Sequence, residues 1–228
     1  MTVKLYLESI EAAYARTFDA QVVAIDGNSI VLDRTLFYPL GGGQHWDTGV
    51  LSGPNGDINV QEVRGRGDVQ HTVETEHQLV VGDEVRGTVD WDTRYAHMRM
   101  HTAQHLMSGI AYELFNGVRT VGNQIHAEKS RIDFNPISFD EAMMERLVDV
   151  VNGHINTGLK VSDSVMTREE INTIMPPDRT NMNLLPASVR DLRVVQIGDK
   201  VDLCPCAGTH VSNTSELGRV ELIGKKSK

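Results

Sequence analysis

Shortages in the sequence exclude several classes of protein before any motif is considered. Cys204 and Cys206 are the only cysteines among 228 residues, and two thiols so close in sequence form no disulfide framework. We therefore expect a reducing, cytoplasmic environment. No uninterrupted apolar run approaches the roughly 18–20 residues of a membrane span, and residues 1–10 lack the apolar region of a secretory signal. We expect no membrane partner.

Basic residues are outnumbered as well. The chain has 22 lysines and arginines against 31 aspartates and glutamates, so its formal net charge is −9. This balance argues against a general nucleic-acid coat protein but leaves room for a local basic face. The candidate members of such a face, each equally compatible with scattered surface charge, are Arg94, Arg99, Lys129, Arg131, Lys225 and Lys226.

The first part of the chain is patterned as short strands. Apolar runs at 22–25 and 30–32 flank the turn sequence Asp-Gly-Asn-Ser, and the segments 49–63 and 79–89 repeat this arrangement. Such spacing indicates a small antiparallel barrel or sandwich. The alanine content predicts one helix over residues 5–17.

Helical periodicity and capping signals replace this pattern after Trp91. The predicted helices run from an N-cap at Asp92 or Thr93 to about Asn116, from Ser138 to about Asn156, and from Thr167 to before Pro176. The predicted strands cover two segments between Val118 and Phe134, and the segments 193–197 and 219–223. The fold class is therefore α+β, with a β-barrel domain at 1–92 and an α+β domain at 93–228.

Two pairs of potential metal ligands stand about a hundred residues apart. His101 and His105 lie one turn apart on one face of a predicted helix, and Cys206 and His210 repeat the spacing of four. Together they make a Cys/His₃ set that suits zinc. His97 lies one turn before His101, so spacing alone leaves open which histidines bind.

Each of these residues also has an ordinary explanation. A single histidine on a helix is more often a surface or core residue than a ligand. Thr102 and Ala103 stand where the metalloprotease motif carries its glutamate, so a protease of that kind is not indicated. Cys204 is either a second thiol ligand or a small buried apolar residue beside Pro205.

A glycine triplet is the third feature. Residues 38–44 read Tyr-Pro-Leu-Gly-Gly-Gly-Gln, and glycines in series mark a turn or a close approach of the backbone. The Lys-Ser/Thr pair of a P-loop is missing, so binding of a nucleoside triphosphate is not indicated. A turn of the barrel with no ligand is the alternative.

Taken together, these motifs resemble a known family. The sequences His-Thr-Ala-Gln-His at 101–105 and Cys-Ala-Gly-Thr-His at 206–210 resemble the paired metal motifs of the editing domain of alanyl-tRNA synthetase, which threonyl-tRNA synthetase shares. Segment 37–49 is similar to the glycine-rich motif that alanyl enzymes carry upstream. Over about residues 20–223 the chain resembles the free-standing alanyl-tRNA editing proteins called AlaX, in their medium-length form.

The resemblance implies a fold and an activity. The barrel would be of the translation-protein kind, followed by the α+β editing domain of threonyl- and alanyl-tRNA synthetases. The chain would deacylate mischarged Ser-tRNA(Ala), and Gly-tRNA(Ala) as a second substrate, by zinc-dependent ester hydrolysis. Zinc would be held by His101, His105, Cys206 and His210, and if His210 is not a ligand it becomes a candidate general base.

The resemblance also implies where the substrate binds. The candidate substrate-binding residues are Gly41, Gly42, Gly43, Gln44, Gln124 and His126. Leu40 and His45 depart from the family pattern, which often has glutamate and a small residue at these positions, and His45 could add a local donor or change the specificity.

Editing chemistry has a physical rationale, and two other functions stay open. A pocket for alanine discriminates only about a hundredfold against serine or glycine, so a second hydrolytic site is needed. The first alternative is a zinc hydrolase of another ester or amide with no tRNA partner. The second is a non-catalytic binding module in which zinc only stabilises the fold.

Overall fold

Six antiparallel strands close a barrel in the first part of the chain, which confirms the predicted β-rich pattern. The computed structural model describes residues 1–65, 67–74, 76–177, 179, 182 and 188–226. The first eight strands are β1 (Val3–Lys4), β2 (Thr17–Asp26), β3 (Ser29–Leu32), β4 (Arg34–Thr35), β5 (Gly49–Gly53), β6 (Gly56–Arg64), β7 (Gln70–Val73) and β8 (Glu84–Val89). Strands β2, β3, β7, β6, β5 and β8 pair in that order around the barrel, and β1 pairs with β4 in parallel.

Alternation of buried and exposed residues explains why these strands form a barrel. Every second residue of β8 is buried, and the first six residues of β2 follow the same rule. The inward side chains form an apolar core that includes Ile30, Leu51 and Val63, all fully buried. Gly27, with φ 57°, makes the turn between β2 and β3 in a conformation that favours glycine. The hairpin predicted over 22–32 is confirmed.

The single helix predicted over 5–17 is wrong. The segment forms two short 3-10 helices, Leu5–Leu7 and Glu11–Tyr14, before β2 begins at Thr17. The Ser9 hydroxyl accepts from the Ala12 amide, and the Ile10 amide donates 3.0 Å to the Asp163 carboxylate far along the chain. These bonds and the burial of Ile10 override the helix propensity of the alanines.

The strand predicted at 79–81 is also wrong. Val80 and Val81 are about 60% exposed, and Asp83 bonds back to Val80 through both its amide and its carboxylate. The apolar run is therefore a turn that leads into β8.

Three α-helices, five strands and the 3-10 helix Thr214–Leu217 are the regular elements of the described remainder, so the α+β class is confirmed. The elements are α1 (Trp91–Leu114), β9 (Arg119–Ile125), β10 (Ser130–Asn135), α2 (Glu141–Thr157), β11 (Val161–Thr167), α3 (Arg168–Ile174), β12 (Asp191–Ile197) and β13 (Asp202–Pro205). Strands β9 and β10 form an antiparallel hairpin, and β11, β12 and β13 form a separate antiparallel sheet. No helix in the described part of the chain combines the length and apolar character that crossing a bilayer requires.

The helix ends follow capping chemistry, with small corrections. The N-cap of α1 is Asp90, not Asp92 or Thr93, and its carboxylate accepts from the Thr93 amide at 3.4 Å. Asp140, not Ser138, is the N-cap of α2, and the capping box predicted at Thr167 is confirmed at α3.

The strand predicted at 219–223 is wrong. Val220 exchanges two hydrogen bonds, both 2.9 Å, with the Asn152 side chain of α2. The partner of this segment is thus a helix side chain, so no ladder forms.

A buried ion pair joins the barrel to α1. Arg94 and Asp47 are both fully buried and bonded to each other, and Arg94 also donates to the Ala13 and Leu36 carbonyls. Arg94 therefore cannot belong to a basic surface patch. Contacts of this kind run across the predicted boundary at residues 92 and 93, and the division into two domains stays a prediction.

Candidate metal centre

Helix α1 and the loop after β13 bring four ligand residues together. The ligand atoms of His101, His105, Cys206 and His210 lie within 4.8 Å of one another. The imidazole centroids are 5.2, 4.3 and 4.7 Å apart for the pairs 101–105, 101–210 and 105–210. Both predicted pairs thus meet in one cluster, and these residues could hold a metal ion.

Distances within the cluster suit a tetrahedral ion. The Cys206 sulfur lies 3.5 Å from His101 Nε2 and 3.3 Å from His210 Nε2. A tetrahedral zinc ion with bonds of about 2.0–2.1 Å to nitrogen and about 2.3 Å to sulfur holds the two ligand atoms about 3.5 Å apart. One thiolate and three imidazoles also match the donors that zinc prefers.

The other ring nitrogen of each histidine contacts a protein oxygen. His101 Nδ1 lies 2.8 Å from Gln44 Oε1, and His105 Nδ1 lies 2.8 Å from a carboxylate oxygen of Asp202. His210 Nδ1 lies 3.1 Å from the hydroxyl of Thr102. Such contacts fix the ring and its tautomer, so Nε2 is left for a metal.

The charges of the cluster favour a thiolate. Burial alone would raise the pKa of Cys206, but His101 and His210 outweigh burial and hold that pKa well below its ordinary range. Burial would lower the pKa of His105, whereas Asp202 and Cys206 raise it to about 10. A metal ion would replace the proton on His105, as expected of a metal-binding set.

An arginine and a glycine shape the loop that carries Cys206. Arg193 on β12 pairs with Asp163 at 2.9 Å and donates 2.8 and 3.2 Å to the carbonyls of Cys206 and Gly208. A β-carbon at Gly208 would overlap the His101 ring. Only glycine allows the loop to approach α1 so closely.

The glycine triplet forms a tight turn against β9. Gly41 and Gln44 exchange backbone hydrogen bonds, and Gly42 and Gly43 between them have φ 55° and 85°. These are the φ angles of a type I′ turn, in which glycine is strongly favoured. A β-carbon at Gly43 would overlap the Asn123 side chain. The turn therefore needs glycine for its shape and for its packing.

Known proteins match the chain along its whole length. It is 36% identical to an alanyl-tRNA editing protein AlaX-M of Saccharolobus solfataricus, over 100% of this chain and 94% of that protein. It is 35% identical to the AlaX-M protein of Methanosarcina barkeri, over 94% of this chain and 90% of that one. The chain belongs to the AlaX family. The chain is also 33% identical to an alanine–tRNA ligase of Sulfurisphaera tokodaii, over 97% of the chain and 24% of the ligase, so this ligase contains a region similar to the chain.

Two family models drawn from synthetases match segments of this AlaX chain. Residues 4–93 match the model of class II (A) tRNA synthetases. Residues 192–228 match the second additional domain of threonyl and alanyl tRNA synthetases. The metal loop with Cys206 and His210 falls inside the second match.

The predicted substrate residues of the AlaX chain take different positions. Gln44 is fully buried, and its amide contacts His101 and Thr209, so it supports a ligand. Gln124 and His126 are exposed at the end of β9, beside the glycine turn. A substrate contact by any of these residues stays a prediction.

Two residues of uncertain role are now placed. His97 is 2% exposed and turns toward His45, with ring centroids 6.2 Å apart, so it is not in the cluster. Burial lowers the pKa of His97 to about 4, although the nearby Asp47 carboxylate acts in the opposite direction. Cys204 lies on β13 outside the cluster, and burial raises its pKa well above the ordinary value.

Asp202 and Thr102 were missed by sequence reasoning. Thr102 follows His101 directly, which gives no hint that its hydroxyl contacts His210 Nδ1 from the side of α1. Asp202 stands four residues before Cys206, and an acidic residue near a ligand motif is the one available signal for a histidine-orienting carboxylate.

Proposed function

We propose that this chain hydrolyses the ester bond of alanine-specific tRNA mischarged with serine, and of the glycine-charged form as a second substrate. It would act in trans, in the cytoplasm, on tRNA charged by another enzyme. The observation that carries the proposal is the four-residue cluster of a chain that matches AlaX-M proteins along its whole length.

Zinc is the metal that the donor set supports. Four protein ligands of types Cys and His, with oxygens on the outer ring nitrogens, fit zinc in number, softness and geometry. A zinc ion held by all four residues would be a fixed point against which the ester is placed, and a zinc ion with an open position would also supply Lewis-acid chemistry. His210 is fully buried with both ring nitrogens in contact, so its placement favours a ligand over a general base.

The chain's own residues would position the substrate. The type I′ turn at Gly41–Gln44 carries His101's partner and is bonded to β9 by the Ile125 amide and carbonyl. The exposed side chains of Gln124 and His126 lie beside it. We infer that the amino acid binds where this turn and the cluster meet the surface, within reach of Gln124 and His126, whose polar groups can pair with a serine hydroxyl.

Specificity would come from unpaired polar groups. A site that hydrogen-bonds the serine hydroxyl rejects alanine, because those groups are left buried without a partner. Glycine lacks only a methyl group relative to alanine, so hydrolysis of Gly-tRNA(Ala) depends on how closely the pocket encloses the amino acid. Serine is therefore the expected main substrate.

Deacylation of Ser-tRNA(Ala), Gly-tRNA(Ala) and Ala-tRNA(Ala) by the purified protein tests the proposal. We expect rapid loss of serine and little loss of alanine, abolished by a chelator and restored by zinc. If zinc is bound and none of the three tRNAs is deacylated, editing is contradicted, and a hydrolase of another ester or amide remains as the alternative. Unfolding on chelation, with no hydrolysis before it, would favour the zinc-stabilised binding module.

A further inference from the structure

A column of planar side chains lies next to the metal centre. The rings of His45 and Trp46 are stacked, with centroids 3.7 Å apart and planes 28° from parallel. The Arg64 guanidinium carbon lies 5.2 Å from the Trp46 ring centroid. We propose that this planar column of Arg64, Trp46 and His45 binds an unpaired nucleobase at the 3′ end of the tRNA, an inference that rests on the proposed function.

The planar column is held in place before any ligand arrives. The Trp46 indole donates 2.9 Å to the Gln61 carbonyl, and Arg64 pairs with Glu62 at 2.6 Å. The His45 amide donates 3.1 Å to the Ile125 carbonyl at the end of β9. A preorganised column loses little conformational freedom on binding, which favours affinity.

The planar column lies where the 3′ end of a bound tRNA is expected. His45 follows Gln44 directly, and Gln44 contacts the predicted ligand His101. The aminoacyl group is attached to the ribose of the last nucleotide, so an ester at the cluster brings the terminal bases to the neighbouring surface. The exposed His126 ring, 5.1 Å from His45, extends that surface.

Stacking also explains how a chain with a net negative charge could bind RNA. A chain of net charge −9 attracts phosphates poorly. Two candidates for a basic face are already engaged, because Arg94 is buried and Arg131 pairs with Asp133 at 3.2 Å. Unpaired RNA bases are recognised by stacking on aromatic rings and arginine planes, which works for any base and does not need a large positive surface.

The chain contains a matched control in Trp91. Arg16 lies 4.4 Å from its ring, and Tyr95 is stacked 5.4 Å away. Trp91 begins α1 and packs against the apolar core of the second part of the chain. It shares the chemistry of Trp46 but not its place beside the glycine turn.

Fluorescence of Trp46 tests the base site directly. The chain has two tryptophans, so the Trp91→Phe protein reports on Trp46 alone. The probe is the trinucleotide 5′-CCA-3′, with a ribose-phosphate chain of equal length but no bases as the control. We expect saturable quenching by CCA that persists at raised salt. Equal quenching by the control chain, or none by CCA, would overturn the proposal.

Kinetics on Ser-tRNA(Ala) provide the second test. One lost base stack corresponds to at least about a fivefold loss of affinity, so Trp46→Ala should raise KM at least about fivefold. Trp46→Phe should recover most of this loss, and Trp91→Phe should behave as the unchanged protein. Since Trp46 packs against the barrel core, the melting temperature of each variant is measured alongside.

The two proposals fail in different ways. If the natural protein deacylates Ser-tRNA(Ala) and Trp46→Ala has the same KM, only the proposed base site is contradicted. No deacylation by the unchanged protein contradicts the proposed function, and the CCA titration, which needs no catalysis, still decides whether the planar column binds a base.

Discussion

Histidines are buried in two regions of this protein for different reasons. In the barrel, His71 is fully buried, with Nδ1 3.0 Å from the Ile30 carbonyl and Nε2 2.9 Å from the Thr35 hydroxyl. Both ring nitrogens thus have oxygen partners. In the metal centre, His101 and His210 are equally buried, but only Nδ1 meets an oxygen, while Nε2 faces the Cys206 sulfur. Burial does not distinguish the two kinds of histidine; the partner of the second ring nitrogen does.

Removing a ligand should have the largest effect. We expect the metal content of His105→Ala to fall from about one ion per chain to nearly none, because the ion loses one of its four protein ligands together with the ring that Asp202 orients. Deacylation should fall by more than about 100-fold, the upper range for outer residues of metal sites. Elemental analysis and deacylation assays measure both. The control is His154→Ala on α2, outside the cluster, and an equal loss there would contradict the assignment.

Removing a supporting amide should have a smaller effect on the same site. Gln44→Ala leaves His101 without its Nδ1 partner, so metal affinity should fall by about 10- to 100-fold. Competition with a chelating dye measures this. The exposed Gln21 of β2, whose amide donates 3.2 Å to the Gly82 carbonyl, provides the control in Gln21→Ala. An unchanged affinity in Gln44→Ala would show that the amide does not orient the ligand.

In the barrel, replacing a buried histidine should lower the free energy of unfolding without changing metal binding. His71→Leu leaves the Thr35 hydroxyl and the Ile30 carbonyl buried without their partner, which should lower the free energy of unfolding by about 1–3 kcal/mol. Metal content should not change. Urea denaturation of the variant is compared with that of His77→Leu, where the half-buried ring contacts the Gly27 carbonyl at 2.9 Å near the surface. Loss of metal in His71→Leu would break the comparison.

The smallest expected effect is a pH dependence from His71. Burial lowers its pKa to about 4, despite the bond to the Ile30 carbonyl, whereas the unfolded value is about 6.5. The unfolded chain binds the extra proton between these values, so stability is full above pH 6.5 and falls toward pH 4. By pH 5.5 the loss is about 1 kcal/mol.

His71→Gln, which cannot take up this proton, provides the reference for that measurement. The difference between the unfolding free energies of the two proteins should narrow as the pH falls, because other titrating groups are common to both. A constant difference from pH 7 to pH 5 would place the titration elsewhere.

Much of the fold followed from local patterns. Turn signals around Gly27 located a hairpin, and the box at Thr167 located a helix start, because both depend on neighbouring residues. The segments 5–17, 79–81 and 219–223 were misassigned, because their partners are distant side chains or solvent. Spacing located the four residues that the structure brings together, but His97 could not be excluded from the cluster until its neighbour His45 was placed.

The contact of Gln44 with His101 makes the candidate metal centre a property of both parts of the chain. A change that strengthens metal binding should also strengthen the packing of the glycine turn against α1. By thermodynamic reciprocity, a change that strengthens this packing should strengthen metal binding. A fragment of residues 93–228 would retain all four ligands and still lack the amide that orients one of them. Cutting the chain at that point would therefore yield a weaker metal binder, even if the fragment folds.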